Sequence, residues 1–349
     1  MPAPIRVLVV DDSPTARALL SGMLTHDSGI TIAGEAATGE AAVEAAQRLR
    51  PSLITMDVHM PGMDGLEATR RIMSLAPTPI VIVSSAAKSS GISLSLDAIA
   101  AGALTVIAKP DGPATPGFNA RRAEFNSLIK VMSEVKVVRR WNRRTPSENP
   151  VRPPVASDRT AQIVAIAAST GGPAVVQNIV RSLPADFPLP MLVVQHIARG
   201  FIGGLADWLA GGSSLRVKVA EDGEPLRRGT VYLGPEDRHL GVNPGGTILL
   251  SKAAEIGGFR PSGTFLFRSV ASVYGSEAVA VILTGMGRDG VDGIADVWRG
   301  GGQVIAQDEE SCIVYGMPQE AVRAGVVTAV MPATQIAEYL RKLRQRRTA

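Results

Sequence analysis

The chain alternates short apolar runs with stretches whose apolar positions recur every three to four residues. Over the first third the runs fall at 5–10, 30–33, 53–56, 79–83 and 104–107, with helical spacing at 14–25, 39–49, 64–75 and 93–101 between them. Runs this short suit strands buried on both faces, and the intervening periodicity suits crossover helices. The pattern predicts a five-stranded parallel sheet of the flavodoxin-like, doubly wound kind. At Ser13-Pro14 a capping serine precedes a proline suited to a first helical turn, and Leu19, Leu20, Met23 and Leu24 are spaced for one buried face. Helical spacing recurs over 121–140, at Phe125, Leu128, Ile129, Met132, Val135 and Val138, and runs into a proline-rich polar stretch, 141–159, without apolar period. Strand-like runs then resume at 163–168, 190–195, 230–233, 247–250, 279–284 and 303–306. The expected organisation is an α/β domain over 1–120, a linker over 121–159 that is helical at its start, and a second doubly wound, Rossmann-like α/β domain over 160–349.

Composition supports two cores: 349 residues are 45% hydrophobic and 19% charged, too apolar for disorder. No apolar stretch approaches the roughly 18 residues that span a bilayer, so membrane insertion is not expected. The single cysteine, Cys312, has no internal disulfide partner, and the start MPAPIRVLVVDDS lacks the basic flank and apolar run of a secretory signal. The expected compartment is the cytoplasm. Net charge is +4, with the basic residues concentrated between Arg121 and Arg152, among them Arg139, Arg140, Arg143 and Arg144, and in the tail from Arg341 to Arg347. Both clusters lie outside the expected cores and read as solvated segments, with contact to an acidic partner as the alternative.

In a doubly wound sheet the functional crevice lies outside the carboxyl ends of the strands. In the first domain those ends carry Asp11 and Asp12, then Asp57, Ser84 and Lys109. Alone, each acid reads as a helix cap or loop residue. Together, three carboxylates on one edge repel unless a cation intervenes, and an all-oxygen site suits Mg²⁺. Asp57 then stands as a nucleophile towards phosphorus, with Lys109 offsetting phosphoryl charge and Ser84 hydrogen-bonding a phosphate oxygen. The motifs VVDDS, MDVHMPGMDG, IVSS and AKP resemble the receiver domain of two-component response regulators. The resemblance implies that Asp57 is the phosphoacceptor, Asp11, Asp12 and Asp57 the Mg²⁺ site, and Ser84 and Lys109 the switch residues. Receivers often place an aromatic switch where this chain has Val106, so a rotating-aromatic output is not expected.

The same reading of the second domain yields Ser169 after IVAIAA, His196 after MLVVQ, and Asp289 in the loop after AVAVILTGMGR. Singly these read as an N-cap, a satisfied strand-end histidine and a turn residue. Jointly they are the three side chains of a hydrolytic triad: hydroxyl nucleophile, imidazole base and orienting carboxylate. A helix is expected to start beside Ser169, at Thr170-Gly171-Gly172-Pro173, which puts free backbone N–H groups next to the nucleophile as oxyanion donors. IAASTGGP, VVQHI, LTGMGRDG and AQDEESCIVYGMP resemble the catalytic domain of the chemotaxis protein-glutamate methylesterases. That resemblance implies a Ser169–His196–Asp289 triad, oxyanion donation from the backbone of Met286 as well as Thr170, and no cofactor for the esterase. It also implies methyl-accepting chemotaxis receptors as substrate, a chemotaxis histidine kinase as phosphodonor and deamidation of receptor glutamines. With a receiver ahead of the catalytic domain, the expected control is that the unphosphorylated receiver covers the triad face and that charge added at Asp57 opens it.

His239 in GPEDRHL, with Glu236 and Asp237 nearby, is a further candidate to assist the site; Cys312 reads as a buried thiol, and His26 and His59 have no partner pattern. Two competing readings meet obstacles. A DNA-binding transcriptional regulator needs a helix-turn-helix after the receiver, whereas 160–349 reads as strands and glycine-rich loops, so no DNA partner is expected. A dinucleotide fold needs G-x-G-x-x-G where this chain has S-T-G-G-P.

Overall fold

A computed structural model describes residues 3–84, 89–135, 137 and 160–345. The chain divides into two compact units, Met1–Thr145 and Pro146–Ala349. Arg139, Arg140, Arg143, Arg144 and the proline-rich stretch lie outside the described residues.

In the first unit the elements run β1 (Ile5–Val10), α1 (Pro14–Thr25), β2 (Ile30–Ala36), α2 (Gly39–Leu49), β3 (Leu53–Met56), α3 (Gly65–Leu75), β4 (Ile80–Ser84), α4 (Ser89–Ala101), β5 (Thr105–Ala108) and α5 (Phe118–Ser133). The strands form one parallel sheet in the order β2-β1-β3-β4-β5, the flavodoxin-like order the sequence predicts. β2 runs three residues past its apolar core because its pairing with β1 continues through a register shift between Val7 and Leu8. Ser13 caps α1 through its hydroxyl, which accepts from Ala16 N, with Pro14 in the first turn. The helix expected at 121–140 is α5; it buries Phe125, Ile129 and Met132, and Asn126 donates to Met23 O on α1.

In the second unit the order is β6 (Thr160–Ala161), β7 (Ile163–Ala168), α6 (Gly172–Ser182), β8 (Met191–Gln195), α7 (Ile202–Ala210), β9 (Arg216–Val219), β10 (Thr230–Leu233), β11 (His239–Asn243) and β12 (Thr247–Ser251). There follow α8 (Gly263–Tyr274), β13 (Ala278–Ile282), α9 (Val291–Arg299), β14 (Gln303–Gln307), α10 (Met317–Arg323), β15 (Ala329–Met331), α11 (Ala333–Arg341) and β16 (Arg344–Gln345). Seven strands make a wholly parallel sheet, β15-β14-β13-β7-β8-β10-β9, while β11 and β12 form a separate antiparallel hairpin. The order reverses direction between β7 and β13, which places the crevice of a doubly wound sheet at their carboxyl ends.

Alternation along the strands sorts the two faces. Ala165 and Ala167 of β7, Leu192 and Val194 of β8 and Ala280 and Ile282 of β13 belong to one buried cluster with Leu266, Phe267 and Val270 of α8 and with Leu240 and Val242 of β11. Successive strand residues point to opposite faces, so Ser169 and His196, two beyond Ala167 and Val194, continue the α8-facing rows.

Candidate active site

Ala168 and Gln195 are register partners, and Ser169 and His196 are the next residue on each strand, so the serine and the imidazole leave the sheet side by side. The backbone fixes both: Ser169 N donates to Thr284 O at 3.0 Å and His196 N to Ala168 O at 2.9 Å. Gln195, 3% exposed, supplies a clamp the sequence reading missed, its Nε2 donating to the carbonyls of both Ser169 and His196 at 2.8 Å. Ser169 O accepts from Gly172 N as α6 begins, with Gly171 at φ 78°, a backbone position that favours glycine.

Asp289 comes from the loop after β13. It is 7% exposed, and its Oδ2 lies 3.0 Å from His196 Nε2. Neither imidazole nitrogen completes an aligned hydrogen bond, so this approach is an electrostatic pairing. The carboxylate rests on the N-terminus of α8: Oδ1 accepts from Ser262 Oγ at 2.6 Å and Thr264 N at 3.3 Å, and Oδ2 from Gly263 N at 2.6 Å. Burial works to raise the Asp289 carboxyl, but His196, Ser262 and Gly263 outweigh it and hold the group below its ordinary range. Gly263 itself fits because no side chain would; a Cβ there would stand 2.8 Å from Ala167 Cβ.

The other face of the imidazole is covered by Phe259, whose ring stacks on His196 at 4.2 Å between centroids and 2° between planes. Phe259 closes a turn in which it and Ile256 exchange backbone hydrogen bonds. The loop after β13 also closes on Ser169, with Gly285 so near that a Cβ would stand 2.7 Å from Ser169 Cβ. Thr284 Oγ1 ties that loop to Thr170 O and accepts from the amides of Ile313 and Val314. Of the two expected oxyanion donors, Thr170 follows Ser169 directly and is buried, while Met286 follows Gly285 in the loop that approaches Ser169 and is exposed.

His239 lies beneath the site. It is fully buried, Nδ1 accepts from Ser262 N at 3.2 Å, and Nε2 contacts Ala254 O at 3.0 Å. Its neighbours Glu236 and Asp237 bind elsewhere, to Gly200 N and Arg199, and so pin the loop that follows His196. Burial pushes the Cys312 thiol up to about 12, which removes it as a nucleophile at neutral pH. Of the residues the sequence reading missed, Ser262 carried a signal as a capping residue ahead of an apolar-periodic stretch, whereas Phe259 and Gln195 carried none.

At the switch point of the first unit, Asp11, Asp12 and Asp57 offer oxygens within 4.8 Å of one another. Lys109 Nζ lies 2.7 Å from both Asp11 Oδ2 and Asp57 Oδ2. Burial raises the Asp57 carboxyl, Lys109 opposes that, and the Asp11 charge adds to it. Ser84 and Lys109 end adjacent strands, and the buried Ser84 hydroxyl has no protein partner among the described residues. Val106 is buried in β5. The acidic donor set suits a hard divalent cation.

A parallel sheet with serine, imidazole and carboxylate converging at its switch point, carried on the same chain as a receiver-type acid cluster, defines a hydrolase coupled to a response-regulator receiver. Comparison with known proteins agrees: residues 164–340 match the CheB methylesterase family and residues 7–115 the response regulator receiver domain family. The chain belongs to the CheB methylesterase family. It is 53% identical over 340 residues to protein-glutamate methylesterase/protein-glutamine glutaminase 4 of Myxococcus xanthus, covering 97% of this chain and 96% of that protein. It is 45% identical to the protein-glutamate methylesterase/protein-glutamine glutaminase of Nitrosospira multiformis, covering 97% of each. The crystal structure of the Thermotoga maritima CheB methylesterase catalytic domain matches with a TM-score of 0.51 at 44% identity, covering 52% of this chain and 98% of that one.

Proposed function

We propose that this chain is a cytoplasmic, phosphorylation-controlled serine hydrolase that removes methyl groups from glutamate methyl esters of methyl-accepting chemotaxis receptors and deamidates receptor glutamines. The receiver occupies 1–120, the linker 121–159 and the catalytic domain 160–349. The observation that carries the reading is the buried Asp289 carboxylate set 3.0 Å from His196, on the strand end beside Ser169.

Ser169 Oγ attacks the side-chain carbonyl carbon, and its proton passes to the His196 nitrogen turned away from Asp289. The oxygen that gains charge lies against the backbone amides of Thr170 and Met286. Collapse breaks the bond to methoxide, or to ammonia from an amide, as His196 returns the proton; water then attacks the acyl-serine by the same route and releases the glutamate carboxylate. Asp289 fixes the imidazole and offsets its transient charge.

In the receiver, Asp57 accepts a phosphoryl group from a chemotaxis histidine kinase. Asp11, Asp12 and Asp57 would hold Mg²⁺, which supplies positive charge against the phosphoryl oxygens when bound. Lys109 and Ser84 contact the new phosphate, and the receiver's phosphorylation state governs access to the triad. The DNA-binding reading gains no support, because 160–345 folds as the α/β unit described and 164–340 match the CheB methylesterase family. No helix among the described residues is long and apolar enough to cross a membrane.

The test is methanol release from methylated receptor by the full chain, with and without a small phosphodonor. The wild type is expected to turn over faster with the phosphodonor, and Ser169→Ala to lose turnover in both conditions while still being labelled at Asp57. Turnover by Ser169→Ala would require another nucleophile.

A further inference from the structure

We propose that Ser262 is a positioning residue for this reaction: its hydroxyl, registered by the buried His239, fixes the Asp289 carboxylate that presents His196 to Ser169. The proposal rests on the triad reading above.

Ser262 sits at the N-cap of α8, and a capping serine needs only to accept a backbone N–H, as Ser262 Oγ does from Thr264 N at 3.1 Å. Its single hydroxyl proton is then free to go elsewhere, and it goes to Asp289 Oδ1 at 2.6 Å. Capping does not require that donation. Both residues are almost wholly shielded from water, Ser262 at 0% and Asp289 at 7% exposure, so no solvent competes for the bond.

The serine is itself held from behind. Because His239 Nδ1 accepts the Ser262 N–H, the ring proton of the neutral tautomer stands on Nε2, where Ala254 O accepts it at 3.0 Å. Stacking on Phe265, with centroids 4.7 Å apart, fixes the ring plane. Donation thus runs outward from Ser262 both ways, its N–H to His239 and from there to Ala254 O, and its hydroxyl to the Asp289 carboxylate that faces His196.

The two carboxylate oxygens have separate duties. Oδ2 takes Gly263 N and faces His196, while Oδ1 takes Ser262 Oγ and the longer bond from Thr264 N. Without the Ser262 hydroxyl, Oδ1 keeps only the 3.3 Å contact, the group gains freedom to rotate, and its negative charge is less dispersed. A less dispersed charge favours the protonated imidazole more strongly, so the acid limb of the rate profile moves to higher pH.

The experiment measures methanol release by the phosphodonor-treated full chain across roughly pH 5 to 9. Ser262→Ala is expected to lower kcat about tenfold with KM unchanged, the scale of one charge-assisted hydrogen bond partly transmitted to the transition state. Its acid limb is expected to rise by about half a pH unit. Ser262→Gly removes the hydroxyl yet keeps a residue well tolerated at a helix N-cap, so it reports on the same bond in a well-folded protein. Ser262→Thr, which keeps the hydroxyl, is expected to restore both rate and profile. Acid limbs of Ser262→Ala and Ser262→Gly that stay in place or move to lower pH would overturn the proposal, leaving Ser262 a helix cap only. Retained turnover by Ser169→Ala in the same assay would instead overturn the triad reading beneath it.

Discussion

Replacing Asp289 by asparagine changes the charge of the site and little of its shape. The carboxylate accepts from Ser262 Oγ, Gly263 N and Thr264 N and faces His196 Nε2 at 3.0 Å. An amide must turn its NH₂ towards one of those donors. The cheaper orientation puts it on the Oδ1 side, where the Ser262 hydroxyl can rotate to accept and only the weak Thr264 contact is lost, while the amide oxygen keeps Gly263 N and His196. Two hydrogen bonds, to Ser262 and Gly263, then fall from the charge-assisted range of about 1.5–3 kcal/mol to the neutral range of about 0.5–1.5 kcal/mol, and the pairing with His196 loses its charge. Relief of the buried charge returns part of that, leaving a stability loss of about 2 kcal/mol. Because the folded-state carboxyl is held below its ordinary value of 3.8, its contribution is fully present above that pH and is lost as pH falls through the folded value. Wild type and Asp289→Asn should therefore differ in urea midpoint at neutral pH and converge in acid. Catalysis should suffer far more. A neutral oxygen does not offset the imidazolium formed during attack, and kcat should drop roughly 10³- to 10⁴-fold with KM little changed. Residual turnover should show its acid limb at lower pH, since the counter-charge favouring protonation is gone; that is the direction opposite to the Ser262 variants. Methanol release from methylated receptor checks the turnover and its pH dependence, urea unfolding checks the stability loss, and a kcat within tenfold of wild type would refute the role given to Asp289.

Two further outcomes follow from packing and charge. In Gly285→Ala the new methyl would meet Ser169 Cβ at 2.7 Å and Met317 Sδ at 2.5 Å, and the serine side cannot yield without moving the nucleophile. A stability loss of about 1–3 kcal/mol should come with a disproportionate fall in kcat; full activity would mean that the loop does not constrain Ser169. Lys109→Met leaves two buried carboxylates without the ammonium now 2.7 Å from each, costing about 3 kcal/mol. Although burial works against the Lys109 charge, Asp11 and Asp57 raise its pKa above the ordinary 10.5, so this stabilisation should persist through neutral pH and fade only above that value. Added Mg²⁺ should recover part of the loss in a thermal melt, and a melting temperature indifferent to Mg²⁺ and chelator would contradict the assigned acid site.

The parts of the fold that were legible in the sequence are those where local pattern and burial agree. The buried strands β1, β3, β4, β7 and β8 are nearly unbroken apolar runs with polar residues at their ends, so both the sheets and the strand-end chemistry could be read together. Five strands escaped notice, two of them, β6 and β16, because they are only two residues long. β9 is an edge strand, R-V-K-V, with no fully buried residue. β15 has only three residues, and β11 begins with a histidine whose burial depends on Phe265 and Ser262 rather than on its own neighbours. The expected strand at 279–284 ends at Ile282 because Thr284 leaves the sheet to bind Thr170 and the 313–314 backbone. The positions of Ser169 and His196 at strand ends and of Asp289 in the loop after β13 were legible; the capping signal at Ser262, 27 positions before Asp289, did not reveal its bond to the carboxylate, since only the placement of α8 brings its hydroxyl there.

The single amide of Gln195 that grips two strand-end carbonyls has a broader consequence. Neither the serine-bearing nor the histidine-bearing loop can swing away without breaking a buried hydrogen bond to the other. The backbone positions of the proposed attacking group and proton acceptor are therefore set by the fold, so under the proposed mechanism an arriving side chain would spend little of its own binding energy on bringing the two strand ends together.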